Sequence, residues 1–273
     1  MKIIALLNEK GGVGKTTLAT HIAAGLAIRG LRVVLADGDP QGQAGLLMGQ
    51  QKEPGLYNLL IRDEEFRDVL RAVPPEVYGE DGSQGELWLL PGNIETRVIS
   101  QINPNPFLIR ERFAELNSWA DVVVFDTSPS PSNFHTAIYM AADSILIPTN
   151  CTFLSLDGVA YSVAHQEQAR ALREQNQLGI VERMGIIPTM YQGTQVHDIN
   201  LQDLLKVYGR HVWPAVPLRK VWQEAAQVGK LLFNYSPKLE AYDSRADKVR
   251  TTATGEMWAM IERIEKLLAV EHV

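Results

Sequence analysis

An apolar run, a cluster of glycines and a helical repeat follow one another directly at the start of the chain. Lys2-Ile3-Ile4-Ala5-Leu6-Leu7 has the length and composition of a buried strand. Leu18, Ile22, Ala23, Leu26 and Ala27 recur at helical spacing. Between them lies Glu9-Lys10-Gly11-Gly12-Val13-Gly14-Lys15-Thr16-Thr17. The glycines therefore occupy a turn from a strand into a helix N-terminus, the context a phosphate-binding loop needs. Gly11, Gly12 and Gly14 leave backbone N–H groups uncrowded, and the helix N-terminus adds unpaired donors and positive dipole charge. Lys15 supplies a point charge for the β/γ-phosphates, and Thr16 a hydroxyl for Mg²⁺. The general consensus for such loops has a further glycine where Glu9 stands here, and a second lysine, Lys10, opens the loop.

Strand and helix patterns alternate along the rest of the chain, which predicts a doubly wound, mostly parallel α/β sheet with helices on both faces. Leu31 to Asp37 reads as a second buried strand running into Asp37-Gly38-Asp39-Pro40-Gln41-Gly42. Carboxylates beyond the carboxyl end of a parallel strand can position water or a metal near a phosphate. Val122-Val123-Val124-Phe125-Asp126 ends another strand in the manner of a Walker B element, whose carboxylate supports a Mg²⁺ shell. The Pro-rich stretch Thr127 to Ser132 after it suits a loop that senses the terminal phosphate. Interrupted helix is expected over 43–72, an exposed loop around 74–86, helix from Phe107 to Asn117, and helix from about Ser155 to Asn176 interrupted by Gly158. Further strands are expected at 87–90, 144–148, 183–190 and 212–216, with helix at 197–208 and a C-terminal packing helix around 256–270. The chain, 1–273, reads as a single domain.

Charge and cysteine usage narrow the function classes. The single cysteine, Cys151, excludes an intramolecular disulfide framework and a Cys-rich metal or iron–sulfur site within one chain. It suits a reducing, cytoplasmic setting and reads as a small hydrophobe. No secretory signal is expected, since position 1 runs into a strand, and no apolar run approaches the ~18 residues of a membrane span. A net charge of −6 argues against a protein that is basic all over but leaves room for a local basic patch. Arg219, Lys220, Lys230, Arg245, Lys248 and Arg250, interleaved with Trp222, Phe233 and Tyr235, read equally as a DNA-facing patch or as a solvated surface over core aromatics. Acidic residues among 256–271 offset Arg263 and Lys266, so the last helix reads as packing rather than membrane-binding.

Taken together, Lys10 to Thr17, Asp37 to Gly42 and Asp126 to Ser130 resemble the ParA/MinD family of deviant Walker A ATPases. The likeness is closer to the ParA branch, which partitions plasmids and chromosomes. Looser matches extend it through Ile147-Pro148, Leu156 to Gly158, Gly185 to Tyr191 and Glu224-Ala225. The resemblance implies a P-loop ATPase using ATP and Mg²⁺, slow until a partner stimulates it. It implies that Lys10 reaches across an ATP-sandwich homodimer to the partner's nucleotide, with Gly11 at the dimer contact. Lys15 and the amides of Gly11, Gly12, Val13 and Gly14 would hold phosphates, and Thr17 would touch the α-phosphate. Thr16, Asp39 and Asp126 would serve the metal and the attacking water, and Met190 and Pro217 would close the adenine pocket. Catalytic roles thus fall to Lys10, Lys15 and Asp39. Implied partners are nonspecific DNA and a ParB-like or other adaptor, with a nucleoid-associated location and no membrane. Ser128 and Val221 depart from the residues common in the family at those positions, and the short N-terminus leaves no room for a helix-turn-helix domain. Competing readings are a positioning ATPase for a protein cargo and a MinD-like membrane-associated regulator; the latter wants a basic amphipathic C-terminus. A nitrogenase-reductase-like redox enzyme would need more cysteines than Cys151.

Overall fold

Strands β1 (Lys2–Leu6), β2 (Arg32–Gly38), β3 (Arg71–Ala72), β4 (Glu86–Leu90), β5 (Val122–Thr127), β6 (Ser144–Asn150) and β7 (Glu182–Thr189) form one sheet. Their order is β3-β4-β2-β5-β1-β6-β7, and every neighbouring pair is parallel except β3–β4. The computed structural model of the chain describes residues 1–79, 84–129, 132–235 and 244–270; the side chains of 153–156, 244–251 and 269–270 fall outside that description. The helices are α1 (Lys15–Ile28), α2 (Gln43–Leu47), α3 (Leu56–Ile61), α4 (Phe66–Val69), α5 (Pro75–Tyr78) and α6 (Ile99–Ile102). They continue with α7 (Leu108–Phe113), α8 (Asn133–Ala141), α9 (Phe153–Gln175), α10 (Gln195–Tyr208), α11 (Lys220–Gln227) and α12 (Ser244–Val270).

Side-chain alternation along each strand divides the core into two layers. Ile4, Leu6, Val33, Leu35, Val122 and Val124 face one side, where α1 and α12 pack. Ile3, Ala5, Leu7, Val34, Ala36, Val123 and Phe125 face the other, which holds residues of α3, α7 and α8. Both layers are apolar, which is why the central strands read as continuous hydrophobic runs. From β1 the chain builds one flank of the sheet through β2–β5 and the other through β6 and β7. The loop after β1 therefore sits where the winding reverses, the place where open α/β sheets bind ligands.

Several expectations need correction. Residues 71–72 are not helical; they form an antiparallel edge strand against Leu89 and Trp88. Residues 212–216 make no strand, only the isolated bridges Ile186–Val212 and Tyr191–Pro217. The helix expected over 107–117 ends at Phe113 and tightens into a 3₁₀ turn over Ala114–Ser118. Gly158 does not interrupt α9; a Cβ there would lie 2.9 Å from Asn8 Oδ1, so glycine lets the helix lie close to the loop after β1. The segment 74–86 is not wholly an exposed loop, because α5 buries Tyr78; residues 80–83 lie outside the described part. The C-terminal helix begins earlier than 256, and of its apolar positions Leu267 is exposed while Met257, Ile261 and Ile264 are buried.

Candidate functional site

The loop between β1 and α1 adopts the geometry its glycines permit. Gly12 (φ 72°) and Gly14 (φ 85°) are left-handed, a conformation that costs other residues free energy. Gly11 is not; a Cβ there would make an ordinary contact with Pro129 at 3.7 Å, so the loop lies beside Pro129 after β5. Asn8 anchors the loop entrance, donating to the Pro148 carbonyl (2.7 Å) and accepting from the Lys10 N–H (2.8 Å). At the far side, the Thr189 hydroxyl donates to the Val13 carbonyl at 2.9 Å, tying the loop to the end of β7. The Lys15 ammonium curls under the loop and donates to the carbonyls of Asn8 (2.9 Å) and Lys10 (3.1 Å). Burial lowers its pKa, opposed by the charges of Asp126 and Asp39.

The two lysines of the loop diverge. Lys15 lines a cleft of about 700 Å³ with Gly11–Thr17, Asp39, Ser128, Pro129 and Met190. Lys10 is absent from that lining; its ammonium donates to Asn150 Oδ1 (3.4 Å) at the end of β6 and to Thr152 Oγ1 (3.0 Å) just past it. Glu9, at the position where the loop consensus has glycine, pairs with His165 of α9.

Parallel pairing of β2 and β5 sets Asp37 opposite Asp126 and Gly38 opposite Thr127. The carboxylates of the Asp37–Asp39 pair divide their work. Asp37 is fully buried and accepts from the N–H groups of Asp39 (3.0 Å) and Ala44 (3.0 Å), which holds the turn. Burial, and then the neighbouring Asp126, pushes its pKa well up. Asp39 is half-buried, faces the cleft and caps its own turn through the Gln41 N–H at 2.8 Å. Asp126 is fully buried; burial pushes its pKa up to about 7 against the Thr16 hydroxyl and the Lys15 charge. One of its oxygens accepts from the Thr127 N–H at 3.0 Å, while Oδ2 has no hydrogen-bond partner. A buried, unsatisfied carboxylate oxygen beside a threonine hydroxyl fits the shell of a hard divalent cation.

Beyond β5, the buried His135 bonds to both Ser128 and Ser132. Its Nε2 donates to the Ser128 carbonyl (3.0 Å), which makes Nδ1 the acceptor for the Ser132 hydroxyl (3.1 Å). Burial lowers the His135 pKa and keeps it in that neutral form. On the opposite wall Met190 carries a left-handed backbone (φ 53°) at the cleft. Pro217 bridges to the adjacent Tyr191 but does not itself line the cleft. Cys151 is buried, and burial raises its pKa to about 11, which disfavours the thiolate.

The C-terminal basic residues do not form one set. Arg219 turns inward to Glu256 of α12 (2.6 Å), whereas Lys220 and Lys230 are exposed. The side chains of Arg245, Lys248 and Arg250 lie outside the described residues. The structure adds groups that the spacing of residues did not single out. His135 is one; Thr96 and Arg97, which reach the cleft from the 3₁₀ turn Ile94–Val98 after β4, are others. His21 is a fourth: Nδ1 donates to the Thr17 carbonyl (2.7 Å), Nε2 accepts from the Leu232 N–H (3.1 Å), and its ring meets Trp222 edge-on at 4.9 Å. None of these carries a local signature, because what brings His135, Thr96, Arg97 and His21 to the cleft or the core is the packing of elements distant in sequence.

A family profile described as an AAA domain matches residues 1–178. The chain is 33% identical over 255 residues to the chromosome-partitioning ATPase Soj of Thermus thermophilus, covering 90% of this chain and 94% of that one. Among solved structures, an ATP complex of a Cyanothece McdA variant superposes with a TM-score of 0.73 at 19% identity, over 93% of this chain and 96% of that one. The septum site-determining protein MinD of Pyrococcus horikoshii, complexed with Mg-ADP, gives a TM-score of 0.72 at 18% identity, over 98% of both chains. At those identities the two structures speak for the fold, while the Soj relative carries the likeness through nearly the full sequence. With a glycine loop opened by a second lysine, set at the reversal of a parallel sheet beside Asp39 and Asp126, this chain belongs to the ParA/MinD family of deviant Walker A ATPases.

Proposed function

We propose that the chain is a ParA-type partition ATPase, acting as one domain, that dimerises on ATP, binds DNA nonspecifically in that form and is released by hydrolysis. The observation that carries this reading is the divergence of the two loop lysines. Lys15 lies in the cleft, whereas Lys10 lies outside the lining of its own cleft, beside Asn150 and Thr152. A cation held at the loop's edge, outside its own cleft, supports a role in completing a second subunit's site, by which ATP couples catalysis to assembly. In this scheme the loop amides, Lys15 and Thr17 hold the phosphates, and Met190 with Pro217 borders the base. Thr16 and Asp126, with Asp39 nearby, would hold Mg²⁺, which would supply positive charge to offset that of the phosphates. Asp39 orients the water that attacks the terminal phosphorus as the bond to the diphosphate leaving group breaks. Lys15 and the partner's Lys10 stabilise charge on the transferred group, and hydrolysis stays slow until a ParB-like adaptor stimulates it. Exposed Lys220 and Lys230, doubled in the dimer, contribute to a phosphate-binding surface whose avidity depends on ATP. The same switch serves a protein cargo equally well. A MinD-like membrane role is less favoured, since the buried residues Met257, Ile261 and Ile264 commit the apolar side of α12 to the core.

Size-exclusion with light scattering, paired with binding to a random-sequence DNA duplex, tests the switch. With Mg-ATP the chain is expected to run as a dimer and retain DNA; with Mg-ADP it is expected to run as a monomer and release it. Equal DNA binding in both nucleotides overturns the reading, and vesicle binding without DNA binding redirects it to the membrane regulator.

A further inference from the structure

Arg97 is the cleft-lining cation with no assigned task. It belongs to the 3₁₀ turn Ile94–Val98 after β4 and is exposed, yet it borders the same cleft as Lys15 and Asp39. Its acidic neighbour Glu95 is already paired with Arg62 at 3.1 Å, and among the described residues Arg97 has neither an ion-pair nor a hydrogen-bond partner. The turn that carries it is held in place. Asn93 and Thr96, both buried, cap it reciprocally: Asn93 Oδ1 accepts from the Glu95 N–H (2.9 Å) and Thr96 Oγ1 accepts from the Asn93 N–H (3.2 Å). Gly92 lets it press on the exit of β2, since a Cβ there would lie 2.4 Å from the Asp37 carbonyl and 2.7 Å from that of Asp39. The position of Arg97 is thus tied to the segment that bears Asp39.

Charge distribution gives that position a meaning. Lys15 enters the cleft from the loop after β1 and is flanked by Asp39 and Asp126. β4 lies beyond β2 in the sheet order, so Arg97 enters from the opposite flank, on the Asp39 side. A guanidinium without a carboxylate partner, carried on a held turn at the rim of a phosphate-binding cleft, is suited to take phosphate oxygens in a forked, charge-assisted contact. We propose that Arg97 contacts the terminal phosphate of ATP on the Asp39 side, as a cation supplied by the same subunit, and so discriminates ATP from ADP. This inference rests on the ATPase reading above and adds one residue to it.

The test compares the native chain with Arg97→Ala and Arg97→Lys, using fluorescently labelled ATP and ADP for affinity and single-turnover phosphate release for the chemical step. Arg97→Ala is expected to weaken ATP binding about tenfold and slow the chemical step by at least about tenfold, with ADP affinity held within roughly twofold. Arg97→Lys, which keeps the charge and loses the fork, is expected to fall between. Unchanged ATP preference and rate in both variants overturns the inference. So does an equal loss of ATP and ADP, which marks a structural role, and so does a loss of dimer alone, which marks a contact with the second subunit. A native chain that neither binds nor hydrolyses ATP removes the underlying function as well, so the two failures are distinguishable.

Discussion

Lys10 and Lys15 share one loop, yet the ammonium of one reaches Asn150 and Thr152 while that of the other folds beneath the loop against the Asn8 and Lys10 carbonyls. If Lys10 serves the second subunit, Lys10→Ala should slow ATP hydrolysis about a hundredfold, the cost of one preorganised transition-state donor. Mixing separates action across the dimer from action within a subunit. Lys10→Ala and Asp39→Ala chains, each inactive alone, should together recover roughly a quarter of the native rate, since half the dimers are mixed and each has one intact site. A cis-acting Lys10 predicts no recovery in the same phosphate-release assay. Asp37 and Asp39 carry the same side chain two residues apart, and only burial separates them. Asp37 is enclosed with its oxygens spent on backbone N–H groups, while Asp39 retains access to the cleft.

At the scale of elements, α1 links the loop to the C-terminal region through His21. The ring is fully buried, and burial lowers its pKa to about 4. Its Nε2 accepts from Leu232 and its ring packs against Trp222 and Phe233, so protonation would place a charge in an apolar setting and abolish an acceptor. A group whose folded pKa lies below its unfolded value leaves the unfolded state holding more protons between the two. The stability that neutral His21 supplies is therefore complete above pH about 6.5 and lost as pH falls toward about 4, by roughly 3 kcal/mol in total. Urea unfolding at several pH values should show this slope, and His21→Asn should flatten it relative to the native chain. An identical slope in the variant would assign the acid sensitivity to other groups.

For the whole molecule, a net charge of −6 means that DNA affinity has to come from a local surface presented in the right number of copies. Arg219 is spent on Glu256, which leaves Lys220 and Lys230 as the exposed cations of this tract among the described residues. The ATP-bound dimer should bind DNA with a log–log salt slope that shallows by about one unit for each lysine removed from the contact. Titrations of the Lys220→Ala/Lys230→Ala double variant between low and moderate salt measure this. A slope equal to the native one would move the DNA surface elsewhere on the dimer.

What depends on neighbours in the chain can be read without the fold. Strand, glycine turn and helix succeed one another within 28 residues, so the glycine loop that carries Lys15 and Thr16 is legible without the fold. The strand-end carboxylates Asp39 and Asp126 were legible for the same reason, as was the alternation that predicts a parallel sheet. Short edge pairing was not: β3 is a strand only because Leu89 and Trp88 lie beside it, and Val212 to Val216 lacks such a continuous partner. Tertiary structure alone decided which side chains share a cleft. It removed Lys10 from its own cleft lining and kept Pro217 off it, and it delivered Arg97 and His135 to it or to its border. Those placements follow from strand order and close packing, which join residues a hundred positions apart by contacts that no local pattern encodes.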